Sequence, residues 1–221
     1  MDSGTYCPNC GEIQQAKAKY CDRCGSPIEG EPPSKPAGKM TEQEIEMLLQ
    51  TRKEKDLFLK HHPQSPIPQD VRGQFKGLNY FPVNPSYRFL CRLNRYPKPA
   101  FVRMMTSTGE ERNYLKVGYV RFTIEGEAQT LQAYKATHEH NHKGERENLF
   151  IPFKDATSGK ETYGAARYLE IEEAEDCVFL VDFNKAYNPY CAYSEAYSCP
   201  FPPVENWLEV AVKAGEKKFK D

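Results

Sequence analysis

Two pairs of cysteines open the chain, and they constrain the fold of its N-terminus more than any other feature. Cys7 and Cys10 form the first pair, Cys21 and Cys24 the second, with two residues inside each pair and ten between the pairs. This spacing lets both sulfurs of a pair face one centre, and a short hairpin between the pairs can complete a tetrahedron of sulfur ligands. The sequence therefore predicts a zinc ribbon over residues 1–28 that holds one structural Zn²⁺ ion.

The charge balance argues against nucleic acid as a partner. The formal net charge is −1, from 30 basic and 31 acidic residues, and residues 1–30 carry three basic against four acidic side chains. A ribbon with this charge attracts the phosphate backbone of a nucleic acid poorly. If the ribbon has a macromolecular partner, we expect a protein.

The location of the protein can be inferred from what the chain lacks and from its cysteines. No apolar stretch approaches the length of a membrane span, and the metal site stands where an export signal would begin. The remaining cysteines are widely spaced, which suits a reducing compartment better than a disulfide framework. We therefore expect a soluble cytoplasmic protein with no membrane contact.

A change in composition separates the ribbon from the rest of the chain. Residues 29–40 are rich in proline and glycine, which predicts a semi-rigid linker. Thr41 and Glu44 then form a capping box, and apolar residues follow at helical spacing until the chain reaches Pro63. One amphipathic helix is predicted over about residues 42–60.

Beyond the helix the pattern is that of β-strands. Val120, Phe122 and Ile124 alternate with polar residues up to a turn near Gly126. Further strand-like segments follow at 149–151, 168–171, 177–181 and 207–212. Because no second long helical pattern separates them, residues 41–221 are expected to be mainly β: an antiparallel meandering barrel or sandwich with one N-terminal helix.

Two segments are unusually dense in polar side chains. Residues 151–164 lie between two predicted strands, and residues 182–193 follow the most hydrophobic one. A buried strand that ends in Asp and Asn must pair those groups or present them to a pocket. The same residue types also build structural turns and packing lids, so both interpretations stay open.

These segments resemble a known family. The chain carries FxGLxYFPVxPxYR at 75–88, IPFxDxTSGxETYGxxRY at 151–168, DFNxAYNPYCAY at 182–193 and CPxPPxEN at 199–206. In this order they are similar to the bacterial and archaeal family catalogued as domain of unknown function 1684, over about residues 50–219. The resemblance implies a domain boundary and a set of residues without implying a reaction, and the ribbon is an addition that many members lack.

The residues of these motifs are mostly polar or aromatic, which favours a polar pocket over a domain kept only for its core. The expected ligand-binding residues are Asp155, Thr157, Ser158, Glu161, Tyr163, Arg167, Asp182, Asn184, Asn188 and Tyr193. The planar guanidinium of Arg167 could hold an anionic group, oriented by one of the carboxylates. The alternative is a buried network that fixes the shape of the domain.

Three functions are compatible with these patterns. The leading hypothesis is a binding module for a small polar or anionic molecule, with the ribbon as a structural or docking appendage. The second is a hydrolase or lyase that uses Asp155, Glu161 or Asp182 as acid or base, with Ser158 or Cys191 as nucleophile. The third is a protein-interaction scaffold. No catalytic residue is assigned by the sequence itself.

Overall fold

The computed structural model describes residues 5–7, 13–14, 21, 35–137, 148–172 and 178–219. This part of the chain is mainly β. Its helices are α1 (Glu42–His61) and α2 (Gln69–Arg72), and its strands are β1 (Thr5–Tyr6), β2 (Ile13–Gln14), β3 (Lys35–Pro36), β4 (Arg88–Arg92), β5 (Asn94–Met105), β6 (Glu111–Ile124), β7 (Glu127–Ala136), β8 (Asn148–Phe153), β9 (Arg167–Glu172) and β10 (Val178–Asp182).

Helix α1 forms where the capping box predicts it. The Thr41 side chain accepts a hydrogen bond from the backbone of Glu44, and the Glu44 carboxylate accepts one from the backbone of Thr41. The helix ends at His61, two residues before Pro63, and buries Leu48 and Leu59. The predicted helix is therefore confirmed.

The larger sheet is an antiparallel meander in the order β5-β6-β7-β8-β9. On β6, Val120, Phe122 and Ile124 are buried, as their alternation predicts. The turn to β7 consists of Glu125 and Gly126 with φ angles of 53° and 86°, which is the tight hairpin turn that matches the twist of two strands.

The smaller sheet has the order β10-β4-β3, and both of its pairings are antiparallel. Its edge strand β3 lies within the predicted linker, and Ala37 also donates a backbone hydrogen bond to Arg88. The two sheets share one hydrophobic core, to which β4 contributes Phe89 and Cys91.

Of the two predicted alternatives, barrel and sandwich, the closed barrel is wrong, because the described strands form two separate antiparallel sheets. The first strand of the meander, β5, stays at an edge of the larger sheet. Its register shifts between Arg95 and Ala100, where Pro97 and Pro99 lack the N–H groups that a further strand would need. The meander itself is confirmed.

The strand predicted at residues 207–212 is also wrong. Leu208 donates a backbone hydrogen bond to Lys154, and Ala156 donates one to Val210. Two residues further on, the backbone N–H of Val212 donates to the Asp155 carboxylate at 2.7 Å. A side chain thus replaces the backbone partner, and the segment follows residues 154–156 without forming a regular ladder.

The N-terminal predictions fall largely outside the described residues. Cys10 and Cys24 lie there, whereas Cys7 and Cys21 are described and buried. In the described part of the chain, no three His, Cys, Asp or Glu side chains are grouped to hold a metal ion.

Among the same residues, no helix is long and apolar enough to cross a membrane.

Candidate functional site

A buried ion pair joins the ends of two strands beside helix α1. Arg88 begins β4 and Asp182 ends β10, and the antiparallel register sets them opposite each other. Arg88 Nε lies 3.0 Å from Asp182 Oδ2. Arg88 Nη2 lies 2.7 Å from Glu44 Oε1 on α1. A single guanidinium therefore fixes the first turn of α1 against the smaller sheet.

Asn184 extends this network into the loop after β10. Its backbone N–H and its Nδ2 donate to Asp182 Oδ1 at 3.0 and 2.9 Å. Its Oδ1 accepts from the backbone N–H of Asn84 at 2.8 Å, and its Nδ2 also donates to the Asn84 carbonyl at 2.9 Å. Because this buried amide is fully paired, it holds two loops at a fixed distance.

A second buried carboxylate, Glu216, contacts the second half of α1. Its Oε1 is 2.5 Å from Lys55 Nζ and accepts from the Tyr80 hydroxyl at 3.5 Å. Its Oε2 accepts from the Asn188 backbone at 2.8 Å and from the Tyr193 hydroxyl at 3.0 Å. Burial, and secondly the nearby carboxylate, raise the pKa of Tyr193 well above its usual value, so this phenol stays a donor.

Between α1 and residues 180–187 lies a cavity of about 410 Å³, called here the α1 cleft. Its lining includes Arg88, Asp182, Asn184 and Glu216. Its polar lining includes Arg52, Lys55 and Tyr80, together with the Arg88 ion pair. Its apolar lining consists of Met40, Met47, Leu48, Leu180 and Ala186. The cleft therefore combines a hydrophobic wall with a set of fixed charges, as ligand sites commonly do.

Arg52 is a half-buried cation of this cleft that has no direct carboxylate partner among the described residues. Its Nη2 donates to the Asn184 carbonyl at 3.1 Å and its Nη1 to the Phe81 carbonyl at 3.4 Å, and its guanidinium lies 4.2 Å from the centre of the Tyr80 ring. No carboxylate of the described residues forms an ion pair with it, and its buried Nε has no hydrogen-bond partner there. Burial lowers the pKa of Arg52, which shows the cost of keeping this charge out of water.

Arg52 and Lys55 were not predicted as site residues, although the sequence contains a signal for them. Leu48, Arg52, Lys55 and Leu59 recur at intervals of four, three and four, which is one face of a helix. The two leucines are buried, so the two cations between them also face the protein. Glu216 was missed as well, and the local sequence around it gives no signal.

Arg167 is buried, and it forms a separate network with three other predicted residues. Arg167 Nη2 lies 3.1 Å from Asp155 Oδ2, and the guanidinium also donates to the carbonyls of Ala214 and Val212. The other Asp155 oxygen accepts from the hydroxyls of Thr157 and Ser158 at 2.7 and 3.2 Å. The arrangement matches the buried-network alternative; a ligand at Arg167 stays a prediction.

The other predicted residues are distributed over three places. Asp182 and Asn184 line the α1 cleft, whereas Asn188 and Tyr193 contact Glu216 behind it. Tyr163 donates to the sulfur of Cys191, elsewhere in the fold.

The carboxylates named for the enzyme hypothesis do not converge. Asp155 faces Arg167, Glu161 is exposed, and Asp182 is paired with Arg88. Ser158 donates to Asp155 at 3.2 Å, but this buried carboxylate also accepts from Arg167, Thr157 and the backbone of Val212. No acid–base pair across one cleft results from these positions.

Comparison with known proteins gives a family. A solution NMR structure of an uncharacterized protein from Haloarcula marismortui is 40% identical, and the match covers 79% of this chain and 95% of that chain with a TM-score of 0.61. A comparison with curated proteins gave no match. The family description matches residues 73–217, which include Arg88, Asp182 and Glu216 but not α1. The chain therefore belongs to the family described as Protein of unknown function (DUF1684).

Proposed function

We propose that this protein is a binding module for a small amphipathic anion, which enters the α1 cleft and places its acidic group at Arg52. The observation that carries the proposal is the half-buried guanidinium of Arg52, whose Nε is fully buried and which has no direct carboxylate partner among the described residues. An anionic ligand would supply the counter-charge that the surrounding side chains do not.

The charges around the cleft support a ligand of negative charge. Arg88 is paired with Asp182 and Glu44, and Lys55 is paired with Glu216. Arg52 and the exposed Lys185 also line the cleft, so four cations face three carboxylates there and one positive charge is in excess. A carboxylate or phosphate would be attracted to this end of the cleft.

The apolar wall supports a ligand that also carries a hydrocarbon part. Met47 lines the cleft and is 64% exposed, so a bound hydrocarbon chain could cover it. Methionine adapts to ligands of different shape because its side chain is flexible and polarizable. A ligand that covers Met47 and Leu180 gains free energy from burial in addition to the ionic contact.

A thermal-shift comparison of matched ligands tests the proposal. Octanoate should raise the melting temperature of the full chain, whereas 1-octanol, which has the same chain length and no charge, should do so much less. Arg52→Gln should abolish the octanoate effect. Lys53→Gln, which removes an exposed charge from the next position of α1, should preserve it. Equal shifts for octanoate and octanol, or a shift that persists in Arg52→Gln, would overturn the proposal.

We also propose that residues 1–28 hold one structural zinc ion through Cys7, Cys10, Cys21 and Cys24. The antiparallel pairing of β1 with β2 supports this, because Cys7 directly follows β1 and both cysteines of the first pair lie between the two strands in sequence. Cys7 and Cys21, one from each pair, are both buried. Thiolates at this spacing suit tetrahedral Zn²⁺.

Elemental analysis of the purified full chain tests the zinc site. We expect about one zinc per chain, as a four-thiolate site requires. A variant with Cys10→Ser and Cys24→Ser should lose the metal, and Cys91→Ser should retain it. Zinc that persists in the double variant would place the metal elsewhere.

A further inference from the structure

Two cysteines outside the α1 cleft are held against each other. Cys191 lies in the 3-10 turn Tyr190–Ala192, and its backbone N–H donates to the sulfur of Cys199 at 3.3 Å. The Cys199 thiol is also near enough to the Cys191 sulfur to lower the pKa of Cys191, and neither cysteine is in a disulfide. Cys191 is half-buried and Cys199 is buried, so Cys191 is the more accessible residue of the pair.

The position of Cys199 is fixed from both sides by the loop between β5 and β6. Its backbone N–H donates to the Ser107 hydroxyl at 3.1 Å, and its carbonyl accepts from the Ser107 backbone at 2.9 Å. The next residue, Pro200, accepts a hydrogen bond from the buried Tyr168 hydroxyl at 2.6 Å. The two sulfurs are therefore brought together by the larger sheet, across a gap of seven residues in sequence.

The surroundings make the two thiols chemically unequal. The Tyr163 hydroxyl donates to the Cys191 sulfur at 3.7 Å. The hydrogen bond from Cys199, and secondly that from Tyr163, lower the pKa of Cys191 to about 6. The same contact raises the pKa of Cys199, which stays a thiol. Cys191 is thus the nucleophile of the pair, because the thiolate is the reactive form.

Cys91 provides an internal comparison. It is fully buried in the shared core, and burial raises its pKa to about 12. It is therefore expected to stay inert towards the reagents that reach Cys191.

We propose that Cys191 and Cys199 form a hydroperoxide-reactive pair that closes to an intramolecular disulfide. The Cys191 thiolate attacks one oxygen of the peroxide, so an S–O bond forms and the O–O bond breaks. The leaving oxygen takes up a proton and departs as water or an alcohol, and Cys191 becomes a sulfenic acid.

The second step uses the neighbouring thiol. The Cys199 sulfur attacks the Cys191 sulfur, the S–S bond forms and the S–O bond breaks, and the hydroxide leaves as water with the proton of Cys199. The two thiols have then given two electrons to the peroxide. A dithiol reductant returns the pair to its starting state by exchange.

The oxidised pair would alter a second cavity. Cys199 lines a space of about 760 Å³ together with Tyr114, Tyr168, Tyr187 and Tyr190. A disulfide would join the two sulfurs covalently, and it would tether the 3-10 turn that carries Tyr190 to the wall of this cavity.

Peptide mass mapping of the full chain tests the proposal without any variant. Trypsin cleaves after Lys185 and Lys213 and at no site between them, so both cysteines lie on one peptide, residues 186–213. After brief treatment with hydrogen peroxide at equimolar concentration, this peptide should lose the mass of two hydrogen atoms. A dithiol should reverse the loss.

Two variants separate the steps. In Cys199→Ser, Cys191 should still react, and its sulfenic acid should accumulate as an adduct with dimedone. In Cys191→Ser, the peptide should remain reduced. The proposal is overturned if the wild-type peptide stays reduced while other cysteines of the chain oxidise, or if Cys191 reacts no faster than Cys91 with an alkylating agent.

Discussion

The largest side chain that is fully buried in the described core is that of Arg167. Burial is the main influence on its pKa, which it lowers, while Asp155 acts in the opposite direction. Its hydrogen bonds to the carbonyls of Val212 and Ala214 attach the C-terminal segment to the larger sheet. At the scale of single residues, this guanidinium replaces apolar packing with a set of directed bonds.

Replacing Arg167 distinguishes the two interpretations of the polar motifs. Arg167→Met leaves Asp155 as a buried charge without its partner, so the free energy of unfolding should fall by about 3–5 kcal/mol. Urea unfolding measures this change. Arg103→Met is the matched control, because Arg103 forms an exposed ion pair with Glu111 at 3.0 Å. The control should change stability by less than about 1 kcal/mol.

The opposite outcome would favour a ligand at Arg167. In that case Arg167→Met would unfold at the same urea concentration as the wild type and would lose the stabilisation by anions instead. The effect of octanoate on this variant therefore has to be measured beside its stability.

At the scale of elements, helix α1 is held at both of its halves. Glu44 and Arg88 join its first turn to the smaller sheet, and Lys55 joins its second half to Glu216. The α1 cleft lies between these two attachments. Its width is therefore set by ion pairs as well as by the packing of Leu48 and Leu59.

Acid should weaken the first of these attachments. Hydrogen bonds from the Thr41 backbone, and secondly from Arg88, lower the pKa of Glu44 from 4.5 to about 2. A carboxylate with a lowered pKa in the folded state contributes stability above its unfolded pKa and loses it as the pH falls through the folded value. The stability difference between wild type and Glu44→Gln should thus be constant above about pH 5.5 and shrink towards about pH 2.

Urea unfolding at a series of pH values measures this difference. Glu46→Gln changes an exposed carboxylate of the same helix and serves as the control. If the advantage of Glu44 over Gln stayed constant down to about pH 2, the ion pair with Arg88 would carry no pH-dependent stability.

At the scale of the molecule, the C-terminal segment connects parts that are distant in sequence. Phe81 donates a backbone hydrogen bond to Gly215, Lys217 donates one to Asn79, and Glu216 donates one to Ala186. The side chain of Glu216 reaches α1 through Lys55. Residues 212–217 therefore fix the base of the α1 cleft.

The sequence predicts those features whose signals are local. The capping box of α1 and the alternation on β6 each lie within a few residues, and both elements form as predicted. The segment 207–212 has the hydrophobicity of a strand, but the carboxylate of Asp155 takes a place in its hydrogen bonding. This hydrogen bond joins residues that are 57 positions apart, and no local sequence pattern can predict it.

The candidate site depends on the same kind of distant contact. Asp182 and Asn184 stand at the end of a buried strand, so their polar role could be predicted from the sequence. Their partners Arg88 and Arg52 are separated from them by 94 and 132 residues. The place of the cleft follows from how α1 packs, and the sequence alone does not specify that packing.

Gly215 tests whether the C-terminal segment has this connecting role. Its φ is +78°, and an added Cβ would lie 2.5 Å from the Ala186 carbonyl oxygen and 2.7 Å from that of Phe183. Gly126 also has a positive φ, +86°, but nothing lies within 4 Å of an added Cβ. Gly126→Ala should therefore show only the backbone cost, about 1–2 kcal/mol.

Gly215→Ala should add a clash in a packed region to that cost, for a total loss of about 3–5 kcal/mol in the free energy of unfolding. It should also weaken the stabilisation by octanoate, because Glu216 and its contact with Lys55 would move with the backbone. Gly126→Ala should leave that stabilisation intact. Urea unfolding measures both losses. Equal losses in the two variants would mean that the C-terminal segment accommodates the added methyl group without strain and does not fix the base of the cleft.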